Sequence, residues 1–392
     1  MAHITGFKVF GLLGRSEPVS IQLNRDVNII FGENGCGKTT LLKILDAALS
    51  LDSATMHRLP VQRAEVEIYS ITDEKPHLHV WDRKPHSSQS ALRLAFSESE
   101  LSDFPETARR EFFRTAAISD WMIQVGKKLR PPTVERWAHN FLPTTRLYAA
   151  DTVRRPAGKQ ISEEQIDEAF AETVNKLWLV HYTKILSEVR QIQNDGLKSV
   201  LYQGLSSATE QPVGPTLDPA VAFSQVKKFI ERQAAASEDM QVLGSSEKFA
   251  KRYQQEPSLM RLVDSINTVE TRIEAAIKPI ENFMGAVDSL FSRGKKIQPK
   301  EKGLEVVLPN GNVISPANLS SGEKHLLRIL LAAMTSESNS VIVDEPELSM
   351  HIDWQRELVR TAQALNPHCQ LILASHSPEI MADIPDSRIF NI

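Results

Sequence analysis

The sequence predicts an α/β fold, a mixed sheet with an antiparallel lobe, split by a long helical insertion. Three observations carry that reading. A short, apolar, β-branched run at 27–31 enters a glycine-rich stretch, and the helix-like run 41–45 follows at once. Two further apolar runs, 341–343 and 371–374, end in polar and acidic residues, as buried strands do when their carboxyl ends face a ligand. Between these two regions, residues 258–292 place apolar side chains at alternating three- and four-residue steps, the spacing of a long helix with a heptad seam.

The elements follow in order. Ile4, Phe7, Val9 and Phe10 suggest one strand and Val19, Ile21 and Leu23 a second, joined as a hairpin through residues 11–18. Phe7 or Phe10 has the chemistry to stack on a purine, and core packing is the plainer alternative for each. Residues 64–82 read as another hairpin, turning at 72–76. Phe112, Phe113, Ala117, Trp121 and Val125 suggest a helix over 97–130 that Pro131 and Pro132 end. Residues 141–148 read as a strand entry. Ser162 and Gln165 form a capping-box pair before a helical run. Residues 204–218 read as a loop, and Pro219 opens a helix at its favoured first position. The seam from Leu259 to Leu290 contains Pro279, where a kink is expected. That seam fits a projecting coiled coil and, equally, the buried face of a helical subdomain. Arg293, Lys295, Lys296, Lys300 and Lys302 form a basic stretch, either a contact for nucleic acid or an acidic partner, or a solvated stem. Asn310-Gly311 marks a hairpin between 304–308 and 313–315. The expected division is 1–156 and 303–392 as the two parts of one head, and 157–302 as the helical arm.

Composition narrows the setting. The 392 residues suffice for one large domain with an insertion, or for two domains. A formal net charge of -4 argues against coating nucleic acid by bulk charge. Two cysteines, Cys36 and Cys369, make neither a disulfide framework nor a zinc spacing. With no leader-like segment and no run long enough to cross a bilayer, a cytoplasmic setting without a membrane partner is expected.

The chemistry concentrates in four places. Gly32 to Thr39 fit G-x-x-x-x-G-K-[ST] between a strand and a helix. In such a loop the glycines turn backbone N–H groups inward, and the helix N-terminus adds its dipole. Asn34, Gly35, Cys36, Gly37, Lys38, Thr39 and Thr40 are therefore the candidate nucleotide-binding residues, with Lys38 on the β- and γ-phosphates and the Thr39 hydroxyl on Mg²⁺. The second place is the strand end at Asp344-Glu345, where Asp344 suits the Mg²⁺ shell and Glu345 a general base. The third is His376, placed to contact the γ-phosphate. The fourth is Leu319-Ser320-Ser321-Gly322-Glu323, at the start of a helix.

This last pentapeptide resembles the Leu-Ser-Gly-Gly-Gln signature of ABC ATPases, departing at Ser321 and Glu323. With Asp344-Glu345-Pro346-Glu347-Leu348, His351 and Ala374-Ser375-His376-Ser377-Pro378, it makes both ends of the chain resemble ABC-type heads of the OLD/RecF/SMC class. In style the chain is similar to the compact AAA_21-like ATPases of bacterial anti-phage systems such as PARIS and Septu. The resemblance implies an ABC-type P-loop ATPase using ATP and Mg²⁺, with Lys38, Glu345 and His376 catalytic. It implies a homodimer closed over an ATP sandwich, with a higher homo-oligomer open. There Ser320, Ser321, Gly322 and Glu323 would meet the nucleotide of the other copy. OLD nucleases carry their nuclease after the head. No nuclease motif follows His376, so a nuclease or toxin effector is expected as a separate chain. The alternative is a RecF/SMC-like repair or maintenance ATPase that clamps DNA. The glutamine of the usual Q-loop has no clear place; Gln124 and Arg146 are the two candidates.

Overall fold

The computed structural model describes residues 1–83, 120–126, 128–130, 137–144, 162–205, 216–233, 244–291, 294–300 and 303–392. β1 (Ala2–Phe10) and β2 (Val19–Gln22) form the first hairpin. Phe7 is buried in its core, so it is packing rather than a purine platform. Phe10 is half-buried beneath the Lys8 ammonium. β3 (Val27–Phe31) leads into α1 (Lys38–Ser50), and α2 (Ser53–Arg58) follows, capped by the Asp52 carboxylate. β4 (Arg63–Ser70) and β5 (Lys75–Asp82) form the second expected hairpin. β6 (Trp121–Val125) and β7 (Lys128–Arg130) extend it into an antiparallel sheet ordered β2-β1-β4-β5-β6-β7.

Here the structure corrects the helix expected over 97–130, because its described end is strand. Residues four apart, such as Trp121 and Val125, share a face in a helix and in a strand alike. Pairing decides between them: β6 lies along β5 with Trp121 opposite Trp81, both fully buried. Phe112, Phe113 and Ala117 lie outside the described residues.

β8 (Asn140–Leu142) is followed by α3 (Glu163–Leu205), which begins with the expected capping box. The Ser162 N–H donates to the Gln165 side chain at 3.1 Å, and the Gln165 N–H donates to the Ser162 hydroxyl at 3.3 Å. α4 (Pro219–Gln233) starts on its proline, and α5 (Ser246–Gln255) precedes α6 (Pro257–Leu290). α6 continues as one helix through Pro279. The described chain divides into two compact units, Met1–Leu177 with Phe283–Ile392, and Trp178–Asn282. In the second unit, Ile266, Val269 and Ile273 of α6 share a core with Ile192 of α3, Phe229 of α4 and Tyr253 of α5. That stretch of the seam is the buried face of a helical subdomain. Among the described residues no helix is long and apolar enough to cross a membrane.

β9 (Lys296–Lys300), β10 (Gly303–Val307) and β11 (Val313–Ile314) form a small antiparallel sheet. The Asn310-Gly311 turn joins the last two as its chemistry predicts. β9 was not anticipated: its lysines masked a strand that buries only Ile297. Arg293 and Lys302 lie outside the described residues.

α7 (Ser321–Thr335), β12 (Ser340–Asp344), α8 (Ile352–Leu365), β13 (Gln370–Ser375), α9 (Pro378–Met381) and β14 (Ile389–Asn391) complete the first unit. A third sheet, ordered β14-β3-β13-β12-β8, is parallel at every pairing. The register sets Ser375 beside Phe31 and Ala374 beside Asp344, so the carboxyl ends of β3, β13 and β12 share one edge. α1 lies in the core common to the six-stranded antiparallel sheet and the parallel sheet. Its Leu41, Leu42 and Leu45 are fully buried in one cluster with Val66 and Ile68 of β4 and with Ile342 and Ile372 of the parallel strands.

Candidate active site

The loop between β3 and α1 is shaped for an anion. Gly37 stands at φ 107°, a conformation that side-chain-bearing residues avoid, and its backbone starts α1 with the helix N-terminus open. Lys38 is 6% exposed, and its ammonium donates to the carbonyls of Gly32 at 2.7 Å and Glu33 at 3.0 Å. A buried ammonium on two carbonyls is already held at the loop and can exchange them for phosphate oxygens. Asn34, Cys36 and His376 line the same open cleft of about 710 Å³, together with Arg15, Phe31 and Ile392. Arg15 escaped the sequence reading. It lies between β1 and β2, and its guanidinium donates to the Cys36 carbonyl at 3.1 Å.

The acids stand at the same edge. Asp344 is 1% exposed and accepts from Thr39 at 2.9 and 3.1 Å, one distance for each carboxylate oxygen. A second hydroxyl, that of Thr144, donates to Asp344 Oδ2 at 2.9 Å. Burial pushes the Asp344 carboxyl up, against hydrogen bonds from Thr144 and Thr39 that pull it down, and the neighbouring Glu345 adds to the rise. The net direction is upward, and a divalent cation would reverse it. One carboxylate with two hydroxyls is a hard-oxygen set that fits Mg²⁺, which keeps most of its shell as water and phosphate. Thr144 was missed because its role depends on β8 lying beside β12. Of the two Q-loop candidates, only Gln124 lies among the described residues. Gln124 sits on β6 with its amide on the Gly126 carbonyl at 2.9 Å, and Arg146 is outside the described residues.

Glu345 carries a left-handed backbone, φ 50°, as the chain turns out of β12, and its N–H donates to the Ala374 carbonyl at 2.9 Å. That turn brings its carboxylate to 3.4 Å from His376 Nε2, with both side chains about one-third exposed at 32% and 34%. Glu347 accepts the His376 N–H at 2.8 Å, which ties the third acid to the end of β13. Behind this turn stands His325 of α7, whose ring hydrogen-bonds the backbone of Glu345 and Pro346. Burial holds it neutral, with its pKa lowered to about 4.

The signature residues form a separate cluster. Ser320 caps α7, and the full capping box with Glu323 is present. A Cβ on Gly322 would stand 2.3 Å from the Ser349 carbonyl oxygen, so only glycine lets α7 approach the turn after Glu345. Ser321 lines a cleft with Leu319, Lys324, Asp167 and Ser349, not the cleft of the 32–39 loop. The structure thus gathers Lys38, Thr39, Asp344, Glu345 and His376 at one sheet edge. Ser321 lines a cleft other than that of the 32–39 loop, with Ser320, Gly322 and Glu323 beside it at the start of α7. Thr40 follows within α1.

Parallel strand ends that bring a phosphate-type loop to an Asp-Glu pair and a histidine, with a signature helix opening elsewhere on the same unit, define an ABC-type P-loop ATPase head. The chain belongs to the AAA ATPase domain family, which it matches over residues 13–381. Over 405 aligned residues it is 23% identical to the Retron Vc95 probable ATPase of Vibrio cholerae serotype O1 biovar El Tor, covering 93% of this chain and 68% of that protein. Among solved structures it is similar to the Pyrococcus furiosus Smc head domain with an extended coiled coil bound to the C-terminal domain of ScpA. That similarity has 13% identity, 97% of this chain, 92% of that chain and a TM-score of 0.43. It is also similar to the SMC head domain from Thermotoga maritima, at 13% identity, with 97% and 91% of the chains covered and a TM-score of 0.38.

Proposed function

We propose that this chain is a cytoplasmic ATPase subunit that pairs head-to-tail on ATP and Mg²⁺, and that the closed and open states control a separate effector, nuclease or toxin, in anti-phage defence. The observation that carries the pairing is the separation just described: Ser321 and its neighbours line a different cleft from the loop of Lys38. One copy alone leaves each half-site incomplete, and two copies in opposite orientation complete both. Support for the effector role comes from the similarity to an ATPase named for a retron. The helical insertion is proposed as the arm through which the head reaches its partner.

The residues divide the work. Lys38 transfers its ammonium from the Gly32 and Glu33 carbonyls to phosphate oxygens, and Arg15 stands at the same cleft. Thr39, Thr144 and Asp344 would hold Mg²⁺, which supplies charge to the phosphate oxygens when bound. Glu345 takes the proton of the attacking water, and His376, beside it, keeps that carboxylate oriented and faces the phosphate end of the cleft. Ser320 and the N-terminus of α7 stabilise the γ-phosphate of the facing copy.

Sedimentation of the purified chain with and without ATP and Mg²⁺ tests this. Glu345→Gln should bind ATP, pair, and stay paired, while turnover falls by about a hundredfold or more. A chain that binds ATP and remains a monomer under these conditions would sink the proposal. Pull-down of a partner only in one nucleotide state, with nuclease assay of the recovered protein, tests the effector role.

A further inference from the structure

The signature turn carries a negative charge where an anion is proposed to dock. Glu323 is the third residue of α7, with its side chain 4% exposed. One of its carboxylate oxygens accepts from both the N–H and the hydroxyl of Ser320, each at 2.9 Å. Ser320 is the residue assigned above to the γ-phosphate of a second copy, so the inference rests on that reading. An uncompensated carboxylate in contact with that hydroxyl would repel the incoming phosphate at a distance where unit charges interact strongly.

Compensation comes from a residue outside the motif. The Lys295 ammonium donates to both carboxylate oxygens of Glu323, at 2.8 and 2.9 Å, and its side chain is 22% exposed. Burial alone would push the Glu323 carboxyl up. The hydrogen bonds from Lys295 and Ser320 outweigh it and hold Glu323 below the usual carboxylate range, so the ionised pair is the stable form. Lys295 stands between the end of α6 and the start of β9, at the root of the helical insertion.

We propose that Lys295 is a positioning residue of the two-copy nucleotide site. Its ammonium cancels the charge of Glu323 and fixes the Glu323–Ser320 pair, so that the Ser320 hydroxyl and the α7 N-terminus are free to meet a triphosphate. The Ser320 hydroxyl keeps its proton and donates a hydrogen bond to Glu323, which it exchanges for one to a phosphate oxygen when a triphosphate arrives. Because Lys295 lies at the root of the insertion, a shift of the chain there reaches Ser320 through only two side chains.

The test starts from the full chain carrying Glu345→Gln, in which closed pairs accumulate, and reads ATP-induced pairing by sedimentation velocity. Lys295→Met in that parent should weaken pairing at least about tenfold. Lys295→Arg should retain it. Lys295→Met combined with Glu323→Gln should restore most of it, and the melting temperature of Lys295→Met without nucleotide should stay within a few degrees of the parent's, which loss of a purely structural lysine would not allow. Pairing by Lys295→Met equal to that of the parent overturns the proposal, and so does a double variant no better than Lys295→Met. If the parent itself does not pair with ATP, the head-to-tail reading fails, and this one falls with it.

Discussion

At the scale of single residues, the candidate site is a set of groups already held by the protein's own hydrogen bonds. Lys38 hangs on two loop carbonyls, and Asp344 accepts from two hydroxyls. Such preorganisation lets a loop bind phosphate without first ordering its side chains. Lys38→Met should therefore lower affinity for a fluorescent ATP analogue by about a hundredfold or more, read by titration. Thr144→Val keeps the shape and removes one hydroxyl from Asp344. It should shift the Mg²⁺ requirement of turnover upward by roughly tenfold, as loss of a ligand-supporting group does. An unchanged Mg²⁺ titration would reduce Thr144 to a packing residue.

At the scale of elements, the same residue can serve the helix and the site. Ser320 caps α7, and its hydroxyl is also the group proposed to meet the phosphate of a facing copy. The two roles separate in Ser320→Asn. Asparagine caps as well as serine, so the melting temperature should hold within a few degrees. ATP-induced pairing should be lost, because the amide cannot take the hydroxyl's place. In the second unit, α6 depends on its buried seam. Ile273 is 1% exposed among residues of α3, α4 and α5. Ile273→Ala should cost about 2–5 kcal/mol in denaturant unfolding of that unit.

At the scale of the molecule, burial leaves a mark on stability against pH. His79 lies fully buried, its Nδ1–H donating to the Ala48 carbonyl at 2.8 Å. Burial, and then the nearby His77, lower its pKa from 6.5 to about 4. His325 is lowered to about 4 in the same way, chiefly by burial. Unfolded, each takes up a proton near pH 6.5 that the folded state refuses until about pH 4. The unfolded state therefore binds more protons across this window, and stability falls as pH drops through it. Melting temperatures of the wild type and His79→Gln should converge as pH falls from 7 toward 4. A constant difference between them would mean that His79 titrates normally.

Much of this protein was legible in order along the chain. The strand–loop–helix at 27–45, the acids after β12 and the histidine after β13 each depend on neighbours in sequence. Turn chemistry, capping and buried-strand composition act over a few residues, and so their signals stay local. Other features depended on which strand lies beside which. Trp121–Val125 reads as helix until β5 supplies its pairing partner, and β9 hides behind its lysines until β10 does. Thr144 joins the acids only because β8 is the parallel neighbour of β12, and Lys295 meets Glu323 across 28 residues of chain. By itself the sequence determined the chemical groups at each strand end and helix start, since short-range geometry is written in residue type. Only the tertiary structure decided which of these groups share a site, because contacts between distant segments depend on sheet order and register, which no local pattern encodes.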